Sequence, residues 1–483
     1  MLAKVRTFAL EGVDGVPVTV EVDVRRGLPA FSVVGLPDRA VRESRERVRA
    51  ALANSGVQFP QQRVTVNLAP ASLRKTGPSF DLAIAVAIVA ADGGLPDADL
   101  PDVICGELSL SGEIKPIRGA LSMALAAAGE GVRRMVVPAA NAPEAALADG
   151  VAVIGVPSLS ELLDLLRGDW QPEPAEPGVL TTGAHVGPDL AEVRGQADAR
   201  RALEIAAAGG HNLLMVGPPG AGKTMLARRL PGILPPPTMA EAIEITKVQG
   251  AAGLTRGGLV SERPFRAPHH TISASGLIGG SVPPKPGEIT LAHQGVLFLD
   301  ELPEFARAAL EALRQPLEEG SVTVVRGQRA VTYPARAMLV AACNGCPCAR
   351  PAPQCTCNDV DRIRYARRLS GPLLDRIDIV CELGQPPPPE LVNGTVRGEG
   401  SAQVRERVAE ARRVHAERPP GERLRASAAA AQIGLGHLSG RGQDRVLRLA
   451  RTIADLAGSG EVHQEHLEEA LGYRLTDPLR TAA

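Results

Sequence analysis

Apolar and polar residues alternate with period two over residues 16–24 (VPVTVEVDV), the pattern of a strand with one buried face. Residues 31–35 and 63–68 carry shorter versions of the same pattern. Between them, residues 38–55 read as a basic amphipathic helix. Residues 81–91 are almost continuously apolar and predict a buried helix. Residues 105–115 read as a hairpin turning at Ser111 and Gly112, followed by a helix over 121–128 and a strand over 135–137. A second region opens with an amphipathic helix over 196–208. It then places three short apolar runs, 212–216, 295–299 and 337–343, where a parallel sheet buried on both faces would need them. The last stretch is helical in pattern throughout, over 404–418, 426–432, 440–457 and 463–473. Pro-rich segments interrupt the series at 169–180 and 385–401 and read as linkers. The chain is therefore expected to be an α/β multidomain protein: an α/β N-terminal domain (1–168), a linker (169–187), an α/β core (188–384), a second linker (385–401) and an all-helical C-terminal lid (402–483).

The run ending at residue 216 leads into Gly217, Pro218, Pro219, Gly220, Ala221, Gly222, Lys223 and Thr224. This is G-x-x-x-x-G-K-[ST] between a strand and a helix, the phosphate-binding loop of P-loop NTPases. Glycines let backbone N–H groups turn inward around phosphate, and the helix that follows offers its positive end to the same anion. Lys223 is placed to reach the β- and γ-phosphates of ATP, and Thr224 to hold Mg²⁺. The second run ends in Asp300 and Glu301, carboxylates at the C-terminal edge of a buried strand, where α/β sheets bind ligands. Asp300 is expected to hold Mg²⁺ and Glu301 to act as general base on the attacking water. The third run ends at Asn344.

Two stretches between these landmarks are candidate contact elements. One is residues 263–273, RPFRAPHHTIS. Its adjacent His269 and His270 lack a nearby third ligand for a tetrahedral metal site and read better as a polar loop. The other is the hairpin at 321–332, with Arg326 and Arg329 beside its turn at Gly327, able to contact phosphates without reading sequence. An ordinary solvated hairpin with a charged tip is the alternative.

Charge and composition change this picture little. The 483 residues carry a net charge of −1, so any nucleic-acid contact must come from a local patch. Aromatics at 2% exclude a broad stacking platform for single strands. The first residues contain no apolar secretion segment, and residues 82–91 fall well short of the ~20 needed to span a bilayer, so a cytoplasmic protein is expected. Five of the seven cysteines lie between Cys343 and Cys357. Cys346, Cys348, Cys355 and Cys357 form two C-x-C pairs that could supply four thiolates to one Zn²⁺, although C-x₂-C is the commoner spacing. Cys343, on the strand, reads as a buried small apolar residue.

These residues also carry resemblances. The order of P-loop, Asp-Glu strand and strand ending in Asn resembles the AAA+ superfamily, which implies that Asn344 orients the lytic water; a turn residue closing a strand is the alternative. The stretches KTGPSFDLAIAVAI and GELSLSGEIKPIRGALSMALAAA resemble the Lon-protease-like domain (ribosomal S5 domain 2-like fold). Ser79 falls near the nucleophile position of that fold. Gly119-Ala120-Leu121-Ser122 stands where the proteases have the partner Lys, which implies a non-proteolytic domain that scaffolds or binds a protein partner. SGPLLDRIDI resembles the arginine-finger segment of the magnesium-chelatase and MCM branch. It implies that Arg376 acts on a neighbouring subunit's nucleotide; a surface pairing with Asp375 is the competing reading. Arg441, at a helix start behind the candidate N-cap Ser439, matches a second sensor arginine, or else is an exposed first-turn residue. With PFRAPHHTIS and PGEITLAHQGVLFLDELPEF, nearly the whole chain resembles the YifB/ComM family of magnesium-chelatase-like AAA+ ATPases. That resemblance implies a homo-hexameric, ATP-driven ring motor on single-stranded or branched DNA, of the branch-migration helicase kind. The alternatives are an ATPase subunit driving metal insertion and a nucleotide-gated scaffold.

Overall fold

The computed structural model describes residues 1–95, 100–178, 187–254, 258–280, 284–326, 329–350, 354–384, 398–419 and 438–475. Two compact units divide the chain: Met1–Thr181 with Ala242–Val260, and Thr182–Glu241 with Ser261–Ala483.

In the first unit the alternation of Val18, Val20, Val22 and Val24 builds the long strand Asp14–Arg25, which pairs antiparallel with Leu2–Glu11 and with Arg63–Ala69. Ala30–Val34 adds to Arg63–Ala69 in parallel and completes a four-stranded sheet. Strand Leu2–Glu11 escapes the sequence pattern because its second face, exposed at Lys4 and Arg6, becomes covered at Phe8. Val5 and Ala9 enter one apolar cluster while Phe8 enters another, so period two is lost. The helix expected over 81–91 is Asp81–Ala91, buried at ten of its eleven positions. Its buried first residue, Asp81, is held by Arg47 through bonds of 2.6 and 3.0 Å. Burial nevertheless outweighs that partner and pushes the carboxyl up to about 6. The basic helix expected over 38–55 is broken into Arg39–Arg42, capped by Asp38, and Ser44–Asn54. The hairpin turns at Gly112 (φ 91°), as its sequence predicts. A three-stranded parallel sheet, Val103–Ile104, Arg134–Pro138 and Ala152–Val156, and the amphipathic helix Leu159–Arg167 complete the unit. Residues 242–260, from the long stretch between Lys223 and Asp300, also cluster here. Lys247 pairs with Asp14 at 2.7 Å, and buried Thr246 bonds Ala242 and Val260.

The second unit is built on a five-stranded sheet in the order Phe265–Arg266, Val296–Leu299, Met338–Cys343, Leu213–Val216, Ile379–Glu382, every neighbouring pair parallel. The three apolar runs of the sequence are its three central strands, buried at every position. Asn212, at the head of its own strand, ties the N-terminal ends of Met338–Cys343 and Ile379–Glu382 to it. Its Oδ1 accepts from the N–H of Leu339 at 2.9 Å, and its Nδ2 donates to the carbonyl of Arg376 at 2.8 Å. The C-terminal helices Ser401–Glu417, Gly440–Leu456 and Gln464–Leu475 do not form a separate core. Val404, Val408, Leu449, Ile453 and Leu467 pack in one cluster with Leu203, Leu213 and Met215. The helix expected over 426–432 and most of the second linker lie outside the described residues.

Candidate active site

Parallel pairing brings the C-terminal ends of three strands together, and three functional segments emerge there. From Leu213–Val216 comes the glycine loop. Gly220 and Gly222 have φ of 79° and 94°, the left-handed region that favours glycine. Gly217 is required for a different reason: a Cβ there would lie 2.5 Å from the Leu383 carbonyl oxygen. The helix that follows is Lys223–Ala227, and a second turn begins at Leu230 with Pro231 in its first positions.

Lys223 is buried, and its three ammonium protons meet three acceptors: the carbonyls of Gly217 at 2.7 Å and Pro218 at 3.0 Å, and Oδ1 of Asn344 at 3.1 Å. Burial pushes its pKa down, opposed by the nearby Cys343, Asp300 and Glu301. The Thr224 hydroxyl donates to Oδ2 of Asp300 at 2.7 Å. Two hard oxygen donors so joined are a suitable ligand pair for Mg²⁺. Glu301 stands at φ 53°, a sparsely populated conformation for a residue with a Cβ, and one that clusters at functional sites. Its carboxylate lies 3.2 Å from Nδ1 of His270.

The sequence therefore located Lys223, Thr224, Asp300, Glu301 and Asn344, and the fold brings them together. It did not place His270, which belongs with Glu301 rather than on a remote loop. No spacing rule links the two residues; only strand Phe265–Arg266, docked parallel on Val296–Leu299, carries one to the other. Gln196 was also missed. It sits at the start of helix Ala197–Gly209, and its Nε2 donates to the carbonyls of Ala221 and Gly384.

The two other arginines lie elsewhere. Arg376 precedes strand Ile379–Glu382, at the opposite end of the sheet from the loop. The four-residue P-loop strand, at about 3.3 Å per residue, separates it from Lys223 by about 13 Å. Its guanidinium is bound to Glu318 and donates to the carbonyls of Arg314 and Pro372. Arg441, behind the observed cap Ser439, is exposed and lies 3.8 Å from the same Glu318. A cleft of ≈ 570 Å³ lined by Gly209, Gly295, Met338 and Arg412 also opens at this N-terminal edge, away from the nucleotide loop. The expected basic hairpin is the ribbon Ser321–Arg326 with Arg329–Pro334. Its register sets Arg326 opposite Arg329, and its turn falls outside the described residues.

Beyond Asn344, the Sγ atoms of Cys346, Cys348, Cys355 and Cys357 all lie within 4.8 Å of one another, a set that can hold a metal ion. Cys343 stays apart on its strand. Burial pushes its thiol up to about 12, as the sequence reading expects of a small apolar residue.

A parallel sheet with a glycine loop, a Lys-Thr pair and an Asp-Glu pair at its C-terminal edge defines a P-loop ATPase of the AAA+ type. The comparisons narrow the class. The family described as "Magnesium chelatase, subunit ChlI" matches residues 189–390. "Subunit ChlI of Mg-chelatase" matches 20–141, and "Magnesium chelatase, subunit ChlI C-terminal" matches 398–474. An uncharacterized protein of Mycobacterium tuberculosis is 43% identical across 99% of this chain and all of its own length. The uncharacterized protein YifB of Escherichia coli is 42% identical, covering 99% of this chain and 98% of that protein. The competence protein ComM of Haemophilus influenzae is 42% identical, covering 98% and 97%. The chain belongs to the YifB/ComM family of magnesium-chelatase-like AAA+ proteins. No helix among the described residues is long and apolar enough to cross a membrane.

Proposed function

We propose that the chain is one subunit of a cytoplasmic, ATP-hydrolysing hexameric ring that moves along single-stranded or branched DNA. The observation that carries the reading is the meeting of Lys223, Thr224, Asp300 and Asn344 at one point of the sheet edge, with Glu301 one residue further on. Lys223 would exchange its carbonyl partners for the β- and γ-phosphates of ATP, and Thr224 and Asp300 would hold Mg²⁺, which supplies charge neutralisation on the phosphates. Glu301 would take a proton from the attacking water, with Asn344 orienting that water. Zn²⁺ is the ion of the cysteine cluster in this reading.

Arg376 lies too far from its own loop to reach a γ-phosphate there, which supports a role on a neighbour's nucleotide and hence a ring. Arg441, beside it on Glu318, would then act at the same subunit boundary rather than on its own nucleotide. DNA as the track is supported by the relative named a competence protein and by the Arg326–Arg329 ribbon. The N-terminal unit is read as a non-proteolytic, Lon-like scaffold. Ser122, where proteolytic relatives of that fold have Lys, is buried, and Ser79 lies in a turn and does not cap helix Asp81–Ala91. ATP-dependent degradation of an unfolded protein, lost on Ser79→Ala, would overturn this part.

The central test is ATP turnover against a panel of single-stranded, duplex and branched DNA. Turnover should rise with DNA and vanish in Lys223→Ala. Turnover that stays flat across the panel would remove the motor reading and favour the metal-insertion or scaffold alternatives. Arg326→Ala with Arg329→Ala should weaken DNA binding and flatten its log–log salt dependence by about 1.5, the share of two phosphate contacts. Unchanged affinity would place the DNA contact elsewhere.

A further inference from the structure

We propose that Cys346, Cys348, Cys355 and Cys357 form a tetrathiolate Zn²⁺ site whose task is to fix Asn344 beside Lys223. The sulfur geometry comes first. Sγ of Cys346 lies 3.4 Å from that of Cys348 and 3.6 Å from that of Cys355, and Cys348 and Cys355 are also 3.6 Å apart. Four sulfurs bound at ~2.3 Å around a tetrahedral zinc stand about 3.8 Å from one another, so these separations are close to the edges of that tetrahedron. A disulfide needs ~2.05 Å between sulfurs, and all seven cysteines are free.

The surroundings suit a site with net negative charge. Nη2 of Arg362 donates to Cys355 at 3.4 Å. Donors of this kind around the sulfurs orient metal ligands and offset their charge. The sequence of residues 344–358 contains no large aliphatic or aromatic side chain. A metal supplies the rigidity that packing does not.

The link to Asn344 runs through the loop that carries the cluster. The first ligand pair follows Asn344 directly. The second ends at Asn358, whose side chain caps helix Asp359–Ala366. That helix carries Arg362, whose guanidinium donates to Cys355, so the second ligand pair is held at both the cap and the side of the helix. Metal, cap and helix thus anchor the loop that leaves Asn344, whose side chain holds Lys223. Asn344 is the catalytic contact and the cysteines are positioning residues. This half of the proposal rests on the ATPase reading above; the metal half does not.

The test starts with metal analysis of the full chain purified without chelators. About one zinc per chain is expected, and Co²⁺ exchanged into the site should give the intense thiolate-to-metal absorption of a tetrahedral sulfur site. Iron in place of zinc, or reduced thiols with no metal above trace, would overturn the site. Cys355→Ser should lose the zinc, keep its affinity for ATP and lower kcat tenfold or more. Added to Asn344→Ala, it should cost little further, because both act through one contact. Should Cys355→Ser fail to fold, graded zinc removal from the parent protein by a chelator supplies the same comparison. Zinc-free protein that turns over ATP at the parent rate would overturn the positioning role. The zinc count is read without ATP, so a parent protein that hydrolyses none would fail the ATPase reading and leave the metal site to stand or fall on its own number.

Discussion

Asn344→Ala gives a test in which binding and chemistry should separate. The Lys223 ammonium is fully engaged, with Asn344 as one of three partners. ATP must displace that arrangement to reach the lysine, so Asn344 competes with the phosphates as much as it assists them. Removing it should leave ATP affinity within a few-fold of the parent or slightly tighter. The transition state loses a hydrogen bond in a site of concentrated charge, worth about 1.5–3 kcal/mol. At ~1.4 kcal/mol per decade, kcat should fall about 10- to 150-fold. The side chain is short and lies at a strand end, so little packing is lost with it. Steady-state ATP turnover gives kcat, and equilibrium binding of a fluorescent ATP analogue gives affinity. A loss of affinity greater than tenfold at unchanged kcat would refute the reasoning, since it would make Asn344 a ground-state contact with nucleotide.

Three further outcomes are expected. Glu301→Gln should bind ATP normally and hydrolyse it about 10²- to 10⁴-fold more slowly, as loss of a general base requires; single-turnover hydrolysis at the parent rate would exclude Glu301 from that role. Arg376→Ala and Lys223→Ala should each abolish turnover alone, yet mixing the two proteins should restore part of it, because a mixed ring contains interfaces with an intact loop facing an intact arginine; mixtures as inactive as their components would argue against action between subunits. Asn212→Ala leaves the Leu339 N–H and the Arg376 carbonyl without their side-chain partner, a cost of about 2–4 kcal/mol; it should lower the temperature at which ATPase activity is irreversibly lost, and an unchanged inactivation profile would show that the strand ends are tied by other means.

The sequence by itself determined the elements whose cause is local. The three central strands of the sheet are continuous apolar runs because both faces are covered, and that property is written in consecutive residues. The glycine loop is equally local: its left-handed turns and its close approach to Leu383 demand glycine at fixed offsets. Asp300, Glu301 and Asn344 were legible because each follows directly on one of those strands, and Lys223 and Thr224 because they close the glycine loop that leaves the third. Parallel pairing then carries them to a common edge. The four-cysteine cluster was legible as well, from nothing more than spacing.

Tertiary structure decided what depends on partners distant in the chain. Strand Leu2–Glu11 loses its alternation because Phe8 packs on one side while Val5 and Ala9 pack on the other. The C-terminal helices were readable one by one, but not the core they share with the P-loop strand. That His270 meets Glu301, and that Arg376 and Arg441 share Glu318, depends on strand order and on long-range packing. The same holds for Arg362, which donates to Cys355 only because a helix follows the cysteine loop. Contacts of this kind are set by the burial of whole elements against each other, and no periodicity along the chain records them.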